Sequence, residues 1–329
     1  VKIALCETKP TPRGDYILDC LRAGFERHDE NVYNLRLADP IEALDLMDVA
    51  VMICAPNPAD KTTKQMIRRH EIWDRSRIVG RPILVIDSGF FHTQADAEMR
   101  DGFKADRHGG FTRFDKSVYY QLGWNGFKRT ALLPTNNLKR FHGLSIRIQK
   151  PQIIDTTRPI IIIGQPDQGV SCWDVNLVGM YRDLVERLRE ICNCTGEIRF
   201  RQHPRIFKDA RRFPMQAKWT RRFFGHDVTF STHVDIAEDL RDIGTAFVYS
   251  SNAAVQTVIR GIPTFVESDD CPAWPVSCGE WKLFPTEPTP PTMTMIEWAQ
   301  QIAASQWNCS EMANGSAWKE LKARIPVKR

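Results

Sequence analysis

The sequence predicts an α/β protein made of two doubly wound halves in series. Short apolar runs closed by turn residues recur along the chain, amphipathic stretches of helical period separate them, and the pattern restarts near residue 159. A strand buried on both faces of a parallel sheet reads as a continuous apolar run. Strand–helix alternation with short loops marks a parallel sheet flanked by helices.

In the first half, Lys2–Cys6 reads as a strand and Asp15–His28 as a helix with Ile17, Leu18, Leu21 and Phe25 on one face. Val49–Cys54 is an apolar run closed by Ala55-Pro56-Asn57-Pro58. Lys61–Arg77 follows as a helix and Pro82–Ile86 as a strand ending at Asp87-Ser88-Gly89. Residues 106–150 are rich in Gly, Arg, Phe, Tyr and Asn and show no clear helix, and Gln149–Arg158 reads as a connection. The second half opens with the strand Ile160–Ile163. Helix Asn176–Ile191, strand Glu197–Arg201, strand Val228–Ser231, a helix near Ile236–Ile243, strand Ala246–Tyr249, helix Ala253–Arg260 and strand Thr264–Val266 follow. Residues 285–294 read as a Pro- and Thr-rich linker, and Met295–Leu321 as helical, with Trp298, Trp307 and Trp318 as packing anchors. The expected divisions are therefore 1–150, 151–294 and a C-terminal helical segment 295–329 packing back on the domains. Neither half carries a G-x-G-x-x-G fingerprint. Two Rossmann-like halves of this kind are expected to hold ligand in a cleft between them, lined by the carboxyl ends of the strands.

The 329 residues are 42% hydrophobic and 26% charged, a globular composition, and no apolar stretch approaches the roughly 20 residues that span a bilayer. Val1-Lys2-Ile3-Ala4-Leu5-Cys6 lacks a signal peptide's apolar region, so a cytoplasmic protein without a membrane span is expected. The nine cysteines are scattered, with no repeated Cys-x-x-Cys, which argues against a disulfide framework or a zinc ribbon. Net charge is only +5, but residues 199–226 carry nine Lys or Arg (Arg199, Arg201, Arg205, Lys208, Arg211, Arg212, Lys218, Arg221 and Arg222) against Asp209 alone. Such a run projects a positive field towards a diphosphate or a polyanion, although a solvated basic helix would have the same composition.

Three constellations could carry chemistry. In Tyr249-Ser250-Ser251-Asn252-Ala253 a strand ends in small polar residues before a helix, so Ser250, Ser251 or Asn252 can cap a helix start that attracts anions. In Arg199-Phe200-Arg201-Gln202-His203-Pro204-Arg205 a histidine lies just past a strand end between arginines, whose forks suit phosphate oxygens. Gly164-Gln165-Pro166-Asp167-Gln168-Gly169-Val170-Ser171 is a polar, Gly-containing loop after the first strand of the second half.

Taken in order, "IIIIGQPDQGVS", "IRFRQHPR" and "DIAEDLRDIGTAFVYSSNAAVQTVIRGIPTFV" resemble the donor-binding half of the capsule-polysaccharide Kdo transferases and related GT-B glycosyltransferases. The match covers roughly residues 160–267 and departs from the family where Gln202 stands in place of the proline usual before His-Pro. The C-terminal "WAQQIAASQWNCSEMANGSAWKEL" and the loop Asp87-Ser88-Gly89-Phe90-Phe91-His92 resemble phage-encoded DNA glycosyltransferases. The resemblance implies a GT-B fold and a nucleotide-sugar donor held by Gln165, Arg201, His203, Ser250, Ser251 and Asn252; the donor is expected to be UDP- or CMP-linked, with Arg205 and Glu267 as further expected contacts. It implies His203 beside the leaving phosphates. Inverting transfer needs a base at the acceptor hydroxyl. Asp87 is the expected base, with Asp15 and His92 as rivals, and an Asp at such a turn can equally be a plain cap. No Asp-x-Asp occurs, so neither an essential metal nor a cofactor is expected. The expected acceptor is a hydroxymethylated pyrimidine of double-stranded phage DNA, contacted by Asp15, His92, Arg211 and Arg212. The alternatives are a surface-polysaccharide transferase of the capsule type and a catalytically inert nucleic-acid-binding protein.

Overall fold

The computed structural model describes the whole chain except residues 9–10, 59, 91–117, 136–137, 167–171, 173, 204–227, 232, 234, 287 and 327–329. In chain order the main elements are β1 (Lys2–Cys6), α1 (Pro12–Glu26), β2 (Asn31–Leu35), β3 (Val49–Ile53), α2 (Lys64–Ile78), β4 (Ile83–Ser88), β5 (Tyr119–Trp124) and α3 (Leu138–Gly143). They continue with β6 (Ile160–Ile163), α4 (Leu177–Glu190), β7 (Ile198–Arg201), β8 (Val228–Phe230), α5 (Ile236–Asp239), β9 (Thr245–Val248), α6 (Ala253–Ile259) and β10 (Thr264–Val266). The C-terminal elements are α7 (Met295–Ala304), β11 (Gln306–Asn308), α8 (Cys309–Ala313) and α9 (Ser316–Lys322).

The apolar runs become central strands because both of their faces are covered. Ile3, Leu5, Val49, Val51, Leu84 and Ile86 are buried on one side of the first sheet, and Ala4, Cys6, Ala50, Met52, Ile83 and Val85 on the other. This sheet has the order β11-β5-β4-β3-β1-β2, with β2, β1, β3 and β4 parallel and β5 and β11 added antiparallel. Helix α1 starts where Thr11 accepts a hydrogen bond from the Gly14 N–H (3.1 Å) and Pro12 occupies the first turn. Its stripe of Ile17, Leu18, Leu21 and Phe25 faces the core. A Cβ at Gly24 would lie 1.9 Å from the Met312 carbonyl oxygen, so this glycine is what lets α8 approach α1.

The second sheet is wholly parallel, with the order β10-β9-β6-β7-β8. Helix α4 is capped by Asn176, which accepts from the Gly179 N–H (3.1 Å), and buries Leu177, Tyr181, Leu184, Val185 and Leu188 at helical spacing. Tyr181 meets Phe200 edge-on at 5.4 Å and stacks on Trp281 at 5.8 Å.

The chain forms two units, Val1–Pro134 with Gln301–Arg329, and Thr135–Gln300. These limits differ from the expected 150 and 294. The segment near residue 150 joins the second unit because the Gln149 N–H donates to the Ile259 carbonyl (2.8 Å) and the Gln152 N–H to that of Gly261 (2.7 Å). The C-terminal stretch is also not one helix. Gln306–Asn308 pairs with β5 as an edge strand, and α8 and α9 lie against α1. Trp298, Trp307 and Trp318 are all buried. Among the described residues no helix is long and apolar enough to cross a membrane.

Candidate functional site

In the second unit, strand order runs outward from β6 through β7 and β8 on one side, and through β9 and β10 on the other. The order therefore reverses between β6 and β9, and ligands of open parallel sheets bind beyond the strand ends at such a point. The residues just past those two strands are Gly164-Gln165 and Tyr249-Ser250. Gln165 and Ser250 meet there. The Ser250 N–H donates to Gln165 Oε1 (3.1 Å), Gln165 Nε2 donates to Ser250 Oγ (3.1 Å), and Ser250 Oγ lies 3.3 Å from Oε1. Both residues are buried. A Cβ at Gly164 would lie 2.8 Å from the buried Phe200 ring, so any larger residue there would force the ring to move.

Ser251 and Asn252 follow on the half-buried rim. Ser251 Oγ accepts from the Ala253 N–H at 3.2 Å, so Ser251 supplies the side-chain cap of α6, whereas Asn252 occupies the cap position with helical backbone angles and no side-chain cap bond. Helix α6 is only seven residues long. His203 is half-buried just past β7, at the same edge of the sheet. Glu267 follows β10, and its Oε2 accepts from the Trp281 N–H at 3.0 Å, while burial pushes its carboxyl above the ordinary range. Tyr249 is likewise raised, by burial first and then by the acidic groups and thiol around it.

Arg201 does not have the place expected of a phosphate ligand. Its Nη1 is ion-paired with Asp239, a fully buried carboxylate that also accepts from Ser231 Oγ (2.7 Å), and it donates to the His233 carbonyl at 2.9 Å. Its neighbour Arg199 is held by Glu197 (2.8 Å) and Asp242 (3.2 Å). The reason is proximity: β7 pairs with β8, and Asp239, in α5, meets both Arg201 at the end of β7 and Ser231 just past β8. Arg205, Arg211, Arg212 and His92, also expected at the site, lie outside the described residues.

The first unit reverses its order between β1 and β3. A small cavity of about 70 Å³ opens at that point, lined among others by Cys6, Thr8, Thr11, Asp15, Ile53 and Arg69. Asp15 therefore stands at the first turn of α1 on the rim of this cavity, and Arg69 Nε donates to Thr8 Oγ1 at 3.1 Å. Asp87 closes β4 at the same end of the sheet, with its Oδ1 accepting the Ser88 N–H at 2.8 Å. Burial raises the Asp87 carboxyl above its usual range, opposed by that N–H and by the charges of Lys128, Arg69 and Arg13. Arg13 is fixed by Tyr120, with Nε donating to the hydroxyl (3.3 Å) and the guanidinium 5.1 Å from the ring centroid.

Asp239, Arg13, Arg69 and Lys128 were not legible as site residues. Each acquires its place through a partner distant in sequence, and none carries a local signature. Among the described residues no three His, Cys, Asp or Glu side chains gather as a metal site.

No protein-family model matches the sequence, and no curated protein matches it significantly. Solved structures do match. The chain is similar to the Thermosulfurimonas dismutans KpsC beta Kdo 2,4 transferase at 10% identity and a TM-score of 0.52, over 93% of this chain and 92% of that one. It is similar to the beta Kdo 2,7 transferase of the same protein at 10% identity and a TM-score of 0.53, over 97% of this chain and all (100%) of that one. Neither is a DNA glycosyltransferase, and the comparisons give no support to that part of the resemblance. At such identity the likeness is one of fold. The chain has the GT-B fold, an α/β architecture of two Rossmann-like domains.

Proposed function

We propose that this chain is a glycosyltransferase moving a sugar from a nucleotide-sugar donor, UDP- or CMP-linked, to an acceptor hydroxyl. The observation that carries the reading is the switch point of the second unit, where Tyr249, Ser251 and Asn252 form the rim of the β9–α6 turn tied to β6 by Gln165 and Ser250. Ser251, Asn252 and His203 then receive the leaving phosphates, and Glu267 offers a carboxylate to donor hydroxyls. Arg205 belongs to this set by its place after His203-Pro204. Arg201 supports it indirectly, through its ion pair.

In the first unit Asp87 serves as the base. As the acceptor oxygen attacks the anomeric carbon, its proton passes to the Asp87 carboxylate and the bond to the departing phosphate breaks, inverting the sugar. A carboxylate whose proton affinity is raised is better matched to this task near neutral pH. Asp15, on the cavity rim, contacts the acceptor.

The acceptor we favour is a glycan of the surface-polysaccharide type, since the two similar structures are Kdo transferases. Hydroxymethylated DNA is the second reading, motivated by the basic run of residues 199–226. It is weakened by the carboxylates that neutralise Arg199 and Arg201. Incubation with a panel of sugar nucleotides, against glycan acceptors and hydroxymethylated duplex, with mass spectrometry of the products, tests both. Transfer to neither, with no donor hydrolysis, would leave the inert nucleic-acid-binding alternative. Turnover is expected to persist in excess chelator. A loss that magnesium or manganese restores would contradict the proposed use of protein groups alone on the leaving phosphates.

A further inference from the structure

We infer that Gln165 is a positioning residue of the donor site, acting through Ser250 to hold the β9–α6 turn and not by touching the donor. The inference rests on the donor reading above and divides its residues into those that contact the nucleotide and those that shape the contact.

Burial is the first ground. Gln165 is 5% exposed and Ser250 is 0% exposed, whereas the adjacent Ser251 and Asn252 are half-buried. The turn buries its first serine fully and leaves Ser251 and Asn252 partly accessible. The second ground is how the amide is used. Both ends of the Gln165 side chain engage one serine, with Oε1 taking the Ser250 N–H at 3.1 Å and Nε2 giving to Ser250 Oγ at 3.1 Å. A thioether or aliphatic side chain of similar length supplies neither the acceptor for the Ser250 N–H nor the donor for its hydroxyl. The third ground is place. The pair joins residues 85 apart in sequence at the ends of β6 and β9, the neighbouring central strands between which the sheet reverses order.

Beyond Ser250 the turn is pinned again. The Ser251 carbonyl accepts from the Ala254 N–H (3.0 Å) and from the Cys271 thiol (3.7 Å). Ser251 is thus placed between a tie to β6 upstream and contacts to α6 and Cys271 downstream. Releasing the upstream tie lets the rim shift, and a shift of this kind at a polar site weakens every contact it makes to a ligand.

The test is a double-mutant cycle with Gln165→Met, Ser250→Ala and the pair together. UDP and CMP binding is read by calorimetry, and donor KM, acceptor KM and kcat by steady-state kinetics. Thermal melting confirms that each variant folds. Gln165→Met, which removes both bonds, is expected to weaken nucleotide binding about tenfold, and Ser250→Ala, which keeps its backbone N–H bond to the amide, by less, with the double variant no worse than Gln165→Met. Donor KM should rise and kcat fall while acceptor KM stays within about twofold, a pattern that general loss of stability, which leaves KM unchanged, would not produce. If Gln165→Met fails to fold, Gln165→Asn, which keeps a polar amide but is one methylene too short to span to Ser250, enters the same cycle with the same expectation. Additive losses would mean that Gln165 meets the nucleotide directly, and wild-type affinity in the single variants would mean that the tie is idle. Either result overturns the inference and leaves the donor reading standing. A wild-type chain that binds neither nucleotide would overturn both.

Discussion

Asp87 is subject to opposed influences, burial that raises the proton affinity of its carboxylate against the Ser88 N–H and the charges of Lys128, Arg69 and Arg13 that lower it, and burial prevails. A carboxyl with a native pKa above its unfolded value binds its proton more tightly in the folded state. Its contribution to stability is therefore complete below the ordinary aspartate range and is lost as pH rises through the native pKa. Asp87→Asn is expected to melt higher than the wild type at pH 7, with the difference closing towards about pH 4, while transfer falls by about a hundredfold or more. Thermal melts across pH and an initial-rate assay check both halves. A variant that melts lower at pH 7, or keeps its activity, would remove Asp87 from the role of base. Arg201 shows the limit of reading residues from sequence. Its position between a strand and His-Pro looked like a phosphate fork, but its carboxylate partner stands 38 residues away on a four-residue helix that no local pattern ties to it. Removing one member of a buried pair strands the other, at about 3–5 kcal/mol, whereas replacing both by apolar groups is close to neutral. Urea unfolding should accordingly show Asp239→Ala to be strongly destabilised and Arg201→Met with Asp239→Leu to recover most of the loss. Equal losses in the two would contradict the ion-pair account.

At the scale of elements, the parallel strands were legible because burial on both faces leaves an uninterrupted apolar run: Ile160–Ile163 is buried throughout. The strands that escaped notice are those whose form depends on a neighbour. β2 is an edge strand with exposed Asn31, Tyr33 and Asn34, and β5 carries Gln121 and Gly123 within an aromatic run. β11 is three residues long and exists through its antiparallel pairing with β5. The same dependence holds α9 in place. Burial raises the Glu30 carboxyl, but hydrogen bonds, that from Lys322 first and that from Trp318 Nε1 after it among them, outweigh it and hold it well below the ordinary range. A depressed carboxyl stabilises above its unfolded pKa, and that stability is lost as pH falls through the native value. Lys322→Met should therefore lower the melting temperature most above about pH 5, with the deficit shrinking towards pH 2. A deficit independent of pH would show that Lys322 acts by packing alone.

Across the whole molecule, the two α/β halves and their order were readable, but the boundary was not. Composition places a linker near residues 149–158, whereas hydrogen bonds from Gln149 and Gln152 to the end of α6 bind that stretch to the second unit. The return of residues 301–329 to the first unit depends on contacts that close the chain over long range, such as the Trp124 Nε1–H donating to the Leu321 carbonyl (3.3 Å). Of the candidate site, the segments that converge were legible as motifs, because a polar strand end before a helix has a local signature. The division into inward and outward residues was not, because only the paired strands decide that Ser250 points in and Ser251 lies at the rim. The central claim is that a sugar nucleotide binds at the switch point of the second unit. Amide hydrogen exchange of the intact chain, with and without saturating UDP- or CMP-sugar, tests it most directly. The account predicts slowed exchange in peptides covering Gly164–Gln165, Gln202–His203 and Tyr249–Val255, with residues 1–53 unchanged. Protection confined to the first unit, or none with any nucleotide sugar that the protein turns over, would contradict it.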